Sequence, residues 1–303
     1  MSSAASSRDR SGGPGVERVT ASAYTVPTDL PGGDATLTWD STTLVLVEAA
    51  AGGTTGLGWT YGAPATAAVV ADELAPVYDD RELERQLRRW TEDLGLARVK
   101  IKIGESWGRE EARDLRRTAL ARRVAGDGCE LYVDANGGYT RKQAVRVAGA
   151  LSGLGVTWFE EPVSSDDPDG LRLVRDAVAA DVAAGEYGYD LPYFARMAPV
   201  VDCLQADASR CGGITVWLRA AALAEALGLE LSAHTAPHLH AHAAAAIPNA
   251  RHLEWFHDHV RIESTLFHGA LDPAGGTVAP GADGRPGHGM EFDRAAARPF
   301  RVR

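Results

Sequence analysis

Residues 130–161, ELYVDANGGYTRKQAVRVAGALSGLGVTWFEE, hold one complete strand–helix–strand unit. The runs at 130–134 (ELYVD) and 156–160 (VTWFE) are short and rich in β-branched and aromatic residues, the composition of a buried strand. Between them Ala144, Val147, Ala148, Leu151 and Leu154 recur three and four apart, which places them on one face of a helix. Thr140 followed by Gln143 offers a capping box for that helix. Two buried strands joined by a helix predict a βαβ crossover and therefore a parallel sheet. Both strand runs end on a carboxylate, Asp134 and Glu160.

The same alternation extends in both directions from about Asp79. Further strand runs are RVKIKI, DVAAGE, VDCLQAD, LELSAH and HLEW, and they finish on Lys102, Glu186, Asp207, His234 and Glu254. Leu83, Leu87, Trp90 and Leu94 mark a helix before the first of them, and Gly228 after Leu227 is a C-terminal helix stop. The seven strand-end residues lie 20 to 32 positions apart, one per βα unit. In a parallel barrel all such positions share one rim, so residues scattered over the chain converge there. Upstream, 17–62 reads as a small antiparallel meander, followed by a helix at Pro64–Leu74 with proline in its first turn.

The expected fold is α/β: a (β/α) barrel of modified TIM type with a small α+β capping domain. Its parts are a disordered start (1–16), a truncated cap (17–78), the barrel (79–261) and a C-terminal segment packing back on the cap (262–303). Asp79 to Val260 spans only 182 residues, against about 250 for a typical barrel. Seven strand runs are found and the first is missing, as after an internal deletion near 75–80. Ala75–Tyr78, or a neighbouring subunit, is expected to supply a partial first strand.

A 303-residue chain with 45% hydrophobic residues can bury a sizeable core, and its net charge of −10 disfavours nucleic acid and anionic membranes as partners. Cys129, Cys203 and Cys211 form no CxxC pair, and small buried thiols are expected rather than disulfides or a zinc site. The start lacks the apolar stretch of a signal peptide, and no later run approaches the ~20 apolar residues of a membrane span. A cytoplasmic homo-oligomer acting on a small molecule is expected.

Only three of the 31 basic residues are lysines, and two of them are Lys100 and Lys102. Arginine stays protonated, whereas lysine can serve as a base, so their retention suggests chemistry that arginine cannot perform. Side chains two apart on a strand share a face, which turns Lys100 and Lys102 inward together, as well as Asp134 and Asn136, while Glu161 faces away from Glu160. Two adjacent ammonium groups repel, which lowers the pKa of at least one. Asp134, Glu160 and Glu186 on consecutive strands also repel unless a cation joins them, and three hard oxygen ligands favour Mg²⁺ over zinc.

Taken together, VKIKIGE, LYVDANGGY, WFEEPV, AAGE, LQADASRCGGIT, SAHTAPH and HLEW, from about 98 to 260, resemble the enolase superfamily, specifically its mandelate racemase subgroup. The resemblance implies Mg²⁺ on Asp134, Glu160 and Glu186, a base at Lys102, and a second acid/base at His234 oriented by Asp207. Glu254 would hydrogen-bond the substrate carboxylate and Lys100 would stabilise charge. Asn136, Lys100, Glu254 and Tyr61 are the expected substrate contacts. The implied reaction is abstraction of the proton α to a carboxylate, as in acid-sugar dehydration. Racemisation or epimerisation of a 2-hydroxy acid is the alternative, and a catalytically silent metal-binding relative is a third reading. His238, His240 and His242 are expected to be pocket-lining or structural.

Overall fold

A computed structural model describes residues 18–33, 38–51, 53–61 and 80–301. The expected disordered start, the helix at Pro64–Leu74 and the partial strand at Ala75–Tyr78 lie outside them. Strands β1 (Arg18–Gly33), β2 (Thr38–Ala51) and β3 (Thr54–Tyr61) form an antiparallel sheet in that order. The remaining helices and strands alternate: α1 (Asp80–Arg88), β4 (Arg98–Lys102), α2 (Glu105–Gly108), α3 (Glu111–Ala125), β5 (Glu130–Asp134), α4 (Arg141–Ser152), β6 (Val156–Glu160), α5 (Pro168–Ala177), β7 (Asp181–Ala184), α6 (Leu191–Met197), β8 (Cys203–Ala206), α7 (Ile214–Ala226), β9 (Glu230–Ala233), α8 (Pro237–Ala245) and β10 (Ala250–Leu253). After α9 (His257–Leu266) come β11 (Phe267–His268), β12 (Glu291–Phe292) and α10 (Arg294–Ala297).

Strands β4 to β10 pair in sequence order, and each pairing is parallel. The sheet curls until its two edges approach, since Lys100 Nζ on β4 lies 2.8 Å from Glu254 Oε1 just after β10. Neither edge strand pairs with a further strand among the described residues. The fold is thus a (β/α) barrel of modified TIM type with seven described strands.

Alternation sorts the side chains. Val99 and Ile101 join Leu131, Val133 and Phe159 in the core between sheet and helices, together with Leu83 and Leu87 of α1 and Ala144, Val147 and Leu151 of α4. Lys100 and Lys102 point inward. Tyr132, Trp158, Ala183 and Cys203 fill the barrel interior. All three cysteines are buried and free. A second core joins Tyr24, Leu44, Leu46 and Trp59 of the antiparallel sheet to Ile262, Leu266, Phe267 and Met290. Helix α9 therefore runs through the boundary expected at 261/262.

Gly228 follows α7 with φ +73, as its position requires. The capping box at Thr140 does not form. Thr140 stands at the N-cap without a side-chain bond, because Gln143 reaches instead to the Gly108 carbonyl at 2.6 Å.

Candidate active site at the barrel rim

Every strand-end residue converges on one rim. Asp134, Glu160 and Glu186 are buried and each offers a carboxylate oxygen within 4.8 Å of the others. Gly185 permits this placement of Glu186. Its φ is +137 and any Cβ there would collide with the Gln205 carbonyl, so only glycine lets the chain leave β7 this close to β8. Three buried carboxylates so close repel strongly unless a cation is shared among them, and hard oxygens alone suit Mg²⁺. The donor set therefore fits the metal that the sequence implies.

The triad is bracketed by basic groups. Lys102 Nζ pairs with Asp134, and Lys100 Nζ lies 2.6 Å from Glu160 Oε1, 2.8 Å from Glu254 Oε1 and 3.5 Å from Asp134 Oδ2. On the other flank His234 Nδ1 is 3.0 Å from Asp207 Oδ2 and its Nε2 is 3.2 Å from Glu186 Oε2. Trp158 Nε1 donates to Glu160 Oε2 at 3.0 Å, so both oxygens of that carboxylate are held. Asn136 follows Asp134 in a left-handed conformation (φ +42), and its backbone N–H donates to Asp134 Oδ1 at 2.8 Å. Its side-chain Oδ1 is buried without a hydrogen-bond partner.

The charges correct one expectation. Burial pulls the Lys102 pKa down and Lys100 adds to that, but Asp134, Glu186 and Glu160 outweigh both and hold it above its ordinary value. Burial likewise disfavours the charge on Lys100, yet Glu160, Glu254 and Asp134 raise its pKa well above the usual range. Mutual repulsion of the lysines is real and is the smaller effect. Burial, reinforced by Asp134, pushes Glu160 up to about 8 against the pull of Lys100. Partial burial opposes the charge on Glu254 too, but Lys100 and His234 bring its pKa down to about 2. Burial opposes the imidazolium of His234, while Glu186 and the hydrogen bond to Asp207 raise it to about 10.

Two residues escaped sequence reasoning. Glu161 does not face away: φ +39 breaks the strand alternation at that residue, and its carboxylate is buried with Oε1 unpartnered. Burial and the nearby Glu186 and Asp134 drive its pKa well above the carboxylate range. A regular strand pattern carries no sign of such a turn. Arg210 bridges the loops after β7 and β8, with Nη1 at 3.2 Å from the Glu186 carbonyl and 3.5 Å from its Oε1, and Nε at 3.4 Å from Asp207 Oδ2. Its place three residues after Asp207 was the available signal.

His240 acts structurally. It accepts the Ala208 N–H at Nε2 (2.8 Å) and donates from Nδ1 to the Ala236 carbonyl (2.9 Å), tying the loop of Asp207 to that of His234. Tyr61 stands one layer behind the cluster, stacked on His259 with ring centroids 3.5 Å apart. His238 pairs with Glu263 below the cap. A cavity of about 510 Å³ opens along the β4 edge and is lined by Lys100, Lys102, Glu160 and Glu254.

Comparison with known proteins agrees with this geometry. A family profile described as "Enolase C-terminal domain-like" matches residues 82–296. The chain belongs to the enolase superfamily. Within that superfamily it is similar to a mandelate racemase/muconate lactonizing enzyme-like protein from Rubrobacter xylanophilus, with a TM-score of 0.86, 39% identity, and coverage of 95% of this chain and 100% of that one. It is 33% identical over 223 residues to D-galactarolactone cycloisomerase of Agrobacterium fabrum, covering 69% of this chain and 57% of that protein. Identity to L-talarate/galactarate dehydratase of Salmonella typhimurium is 32% over 169 residues, or 53% and 41% of the two chains. The chain thus spans about half the length of the curated relatives it matches. Among the described residues, no helix is long and apolar enough to cross a membrane.

Proposed function

We propose that this protein abstracts the proton α to a carboxylate in an acid sugar and eliminates a β-hydroxyl, acting as an acid-sugar dehydratase. The observation that carries the reading is the bracketing of one acidic triad by Lys102 on the Asp134 side and His234 on the Glu186 side. Relatives named for dehydration of talarate/galactarate, arabinonate and gluconate support the substrate class.

Asp134, Glu160 and Glu186 would hold Mg²⁺, which when bound supplies positive charge against the negative charge that develops on the substrate carboxylate. Lys102 is the base. Asp134 holds its proton in the structure, and an Asp134 committed to a cation holds it less. Lys100 keeps its charge between Glu160 and Glu254 and steadies the anionic substrate. The ionised Glu254 is an acceptor only, with Oε2 taking the Thr235 N–H at 2.8 Å. A substrate carboxylate beside Glu254 favours its protonated form, which can donate. His234, protonated and oriented by Asp207, is placed to protonate the departing hydroxyl.

Return of a proton from His234 to the same carbon would make the reaction a racemisation or epimerisation. Proton NMR of the protein with Mg²⁺ in D₂O, over a panel of acid sugars and simple 2-hydroxy acids, separates the two. A 2-keto acid product is the expected result. Loss of the α-proton signal without a new compound would assign racemase-like chemistry, and no change with Mg²⁺ bound would support a silent metal-binding relative.

A further inference from the structure

Among the described residues one buried cation makes no hydrogen bond or ion pair. Arg117, on the inner side of α3, is 6% exposed; its Nε has no acceptor, and no hydrogen bond or ion pair among the described residues reaches its guanidinium. The carboxylates whose charge it feels are Glu105, Asp114 and Asp80. Glu105 Oε1 is taken by Arg113 Nη1 at 3.0 Å, and Asp114 Oδ2 accepts the Tyr139 hydroxyl at 2.6 Å and the Gly104 N–H at 3.0 Å. Asp80 is exposed. Asp114 offsets part of the Arg117 charge without touching it, and because an arginine does not shed its proton, the buried guanidinium keeps donors that a bound anion can satisfy.

Two further observations say what kind. Arg117 and Gln86 line the same 510 Å³ cavity as Lys100 and Lys102, along the β4 edge that no described strand covers. Glu105 also lines it, and its Oε2 is a second buried orphan, an acceptor awaiting a donor. A carboxylate satisfies Arg117 and a hydroxyl satisfies Glu105, and an α-hydroxy acid terminus presents both groups on adjacent carbons.

We propose that Arg117 and Glu105 form a second carboxylate subsite, which takes the distal hydroxy-acid end of a dianionic sugar acid. The proposal rests on the acid-sugar reading above for what occupies the lysine end of the cavity. It makes diacids the preferred substrates over monoacids of equal length.

The test is thermal denaturation of the full chain with Mg²⁺, in NaCl and, at matched ionic strength, in malonate, galactonate or galactarate. Wild type is expected to gain about 5 °C from galactarate near 100 Kd and less from galactonate. Arg117→Gln is expected to melt no lower than wild type in NaCl and to respond equally to the two acids, while Arg117→Lys retains part of the galactarate gain. Arg117→Gln melting several degrees lower in NaCl would show that the chain itself supplies the counter-charge, and overturns the proposal. So does an unchanged preference for galactarate in that variant. The two readings fail separately. Malonate that stabilises wild type but not Arg117→Gln, with no acid sugar exchanging its α-proton, keeps the subsite and removes the reaction. Exchange with equal diacid preference in both proteins keeps the reaction and removes the subsite.

Discussion

Replacing Glu263 should loosen the cap from the barrel by an amount the structure bounds. This carboxylate is fully buried on α9 and accepts from two donors, Trp59 Nε1 of β3 at 3.1 Å and His238 Nδ1 of α8. Glu263→Leu strands both donors in a site closed to water, at about 1–3 kcal/mol each. It also removes the cost of burying the carboxylate, so the net loss should be about 3 kcal/mol. Glu263→Gln keeps an oxygen for Trp59 and loses only the charged acceptor at His238, for about 1–2 kcal/mol. Urea denaturation followed by tryptophan fluorescence and by far-ultraviolet circular dichroism measures both. Adding Trp59→Phe to Glu263→Leu should cost less than the sum of the single changes, because the stranded indole donor is then gone. A neutral Glu263→Leu, or one no worse than Glu263→Gln, would refute the reasoning.

Other perturbations address the site and its surroundings. Lys102→Arg keeps a cation beside Asp134 but removes a usable base, so turnover should fall by at least about 10³-fold while calorimetric Mg²⁺ affinity holds; substantial residual turnover removes Lys102 from the role. Arg210→Met should bind Mg²⁺ at least as tightly as wild type, because the guanidinium 3.5 Å from Glu186 competes for that carboxylate; weaker binding would mean that Arg210 holds Glu186 in place for the ion. Burial, with help from His234, lowers the His259 pKa to about 3 despite Asp207 and Glu254. The unfolded chain therefore takes this proton first, and the contribution is whole above about pH 6.5 and lost as pH falls toward 3, at up to about 1.4 kcal/mol per pH unit. His259→Phe should flatten the stability profile between pH 6 and 4, and an unchanged slope would exclude His259 as its source.

Much of this arrangement is legible in the sequence because strand periodicity and one polar residue per βα unit are local signals. Asp134, Glu160, Glu186, Asp207, His234 and Glu254 each end or follow a strand run, and parallel pairing alone brings them to one rim. Periodicity fails where the backbone leaves the strand. Glu161, Asn136 and Thr235 all take positive φ, and the first of these turns a side chain expected outside into the acidic cluster. The lysine charges fail for another reason. The pair Lys100–Lys102 is adjacent in sequence, so its repulsion is visible, whereas the carboxylates that outweigh it come from 32 to 154 residues away. Arg117 is hidden in the same manner. An arginine-rich helix face looks solvated, and only the fold shows Arg117 buried beside an edge that no described strand covers.

The claim that Lys102 and His234 act on opposite flanks of one metal-binding triad has a direct test in α-proton exchange. With Mg²⁺ in D₂O and a substrate found by the NMR panel, His234→Asn should still exchange the α-proton while forming no product, because Lys102 alone removes and returns it. Lys102→Ala should do neither. Exchange that survives in Lys102→Ala, or vanishes in His234→Asn with Mg²⁺ still bound, would contradict the division of roles.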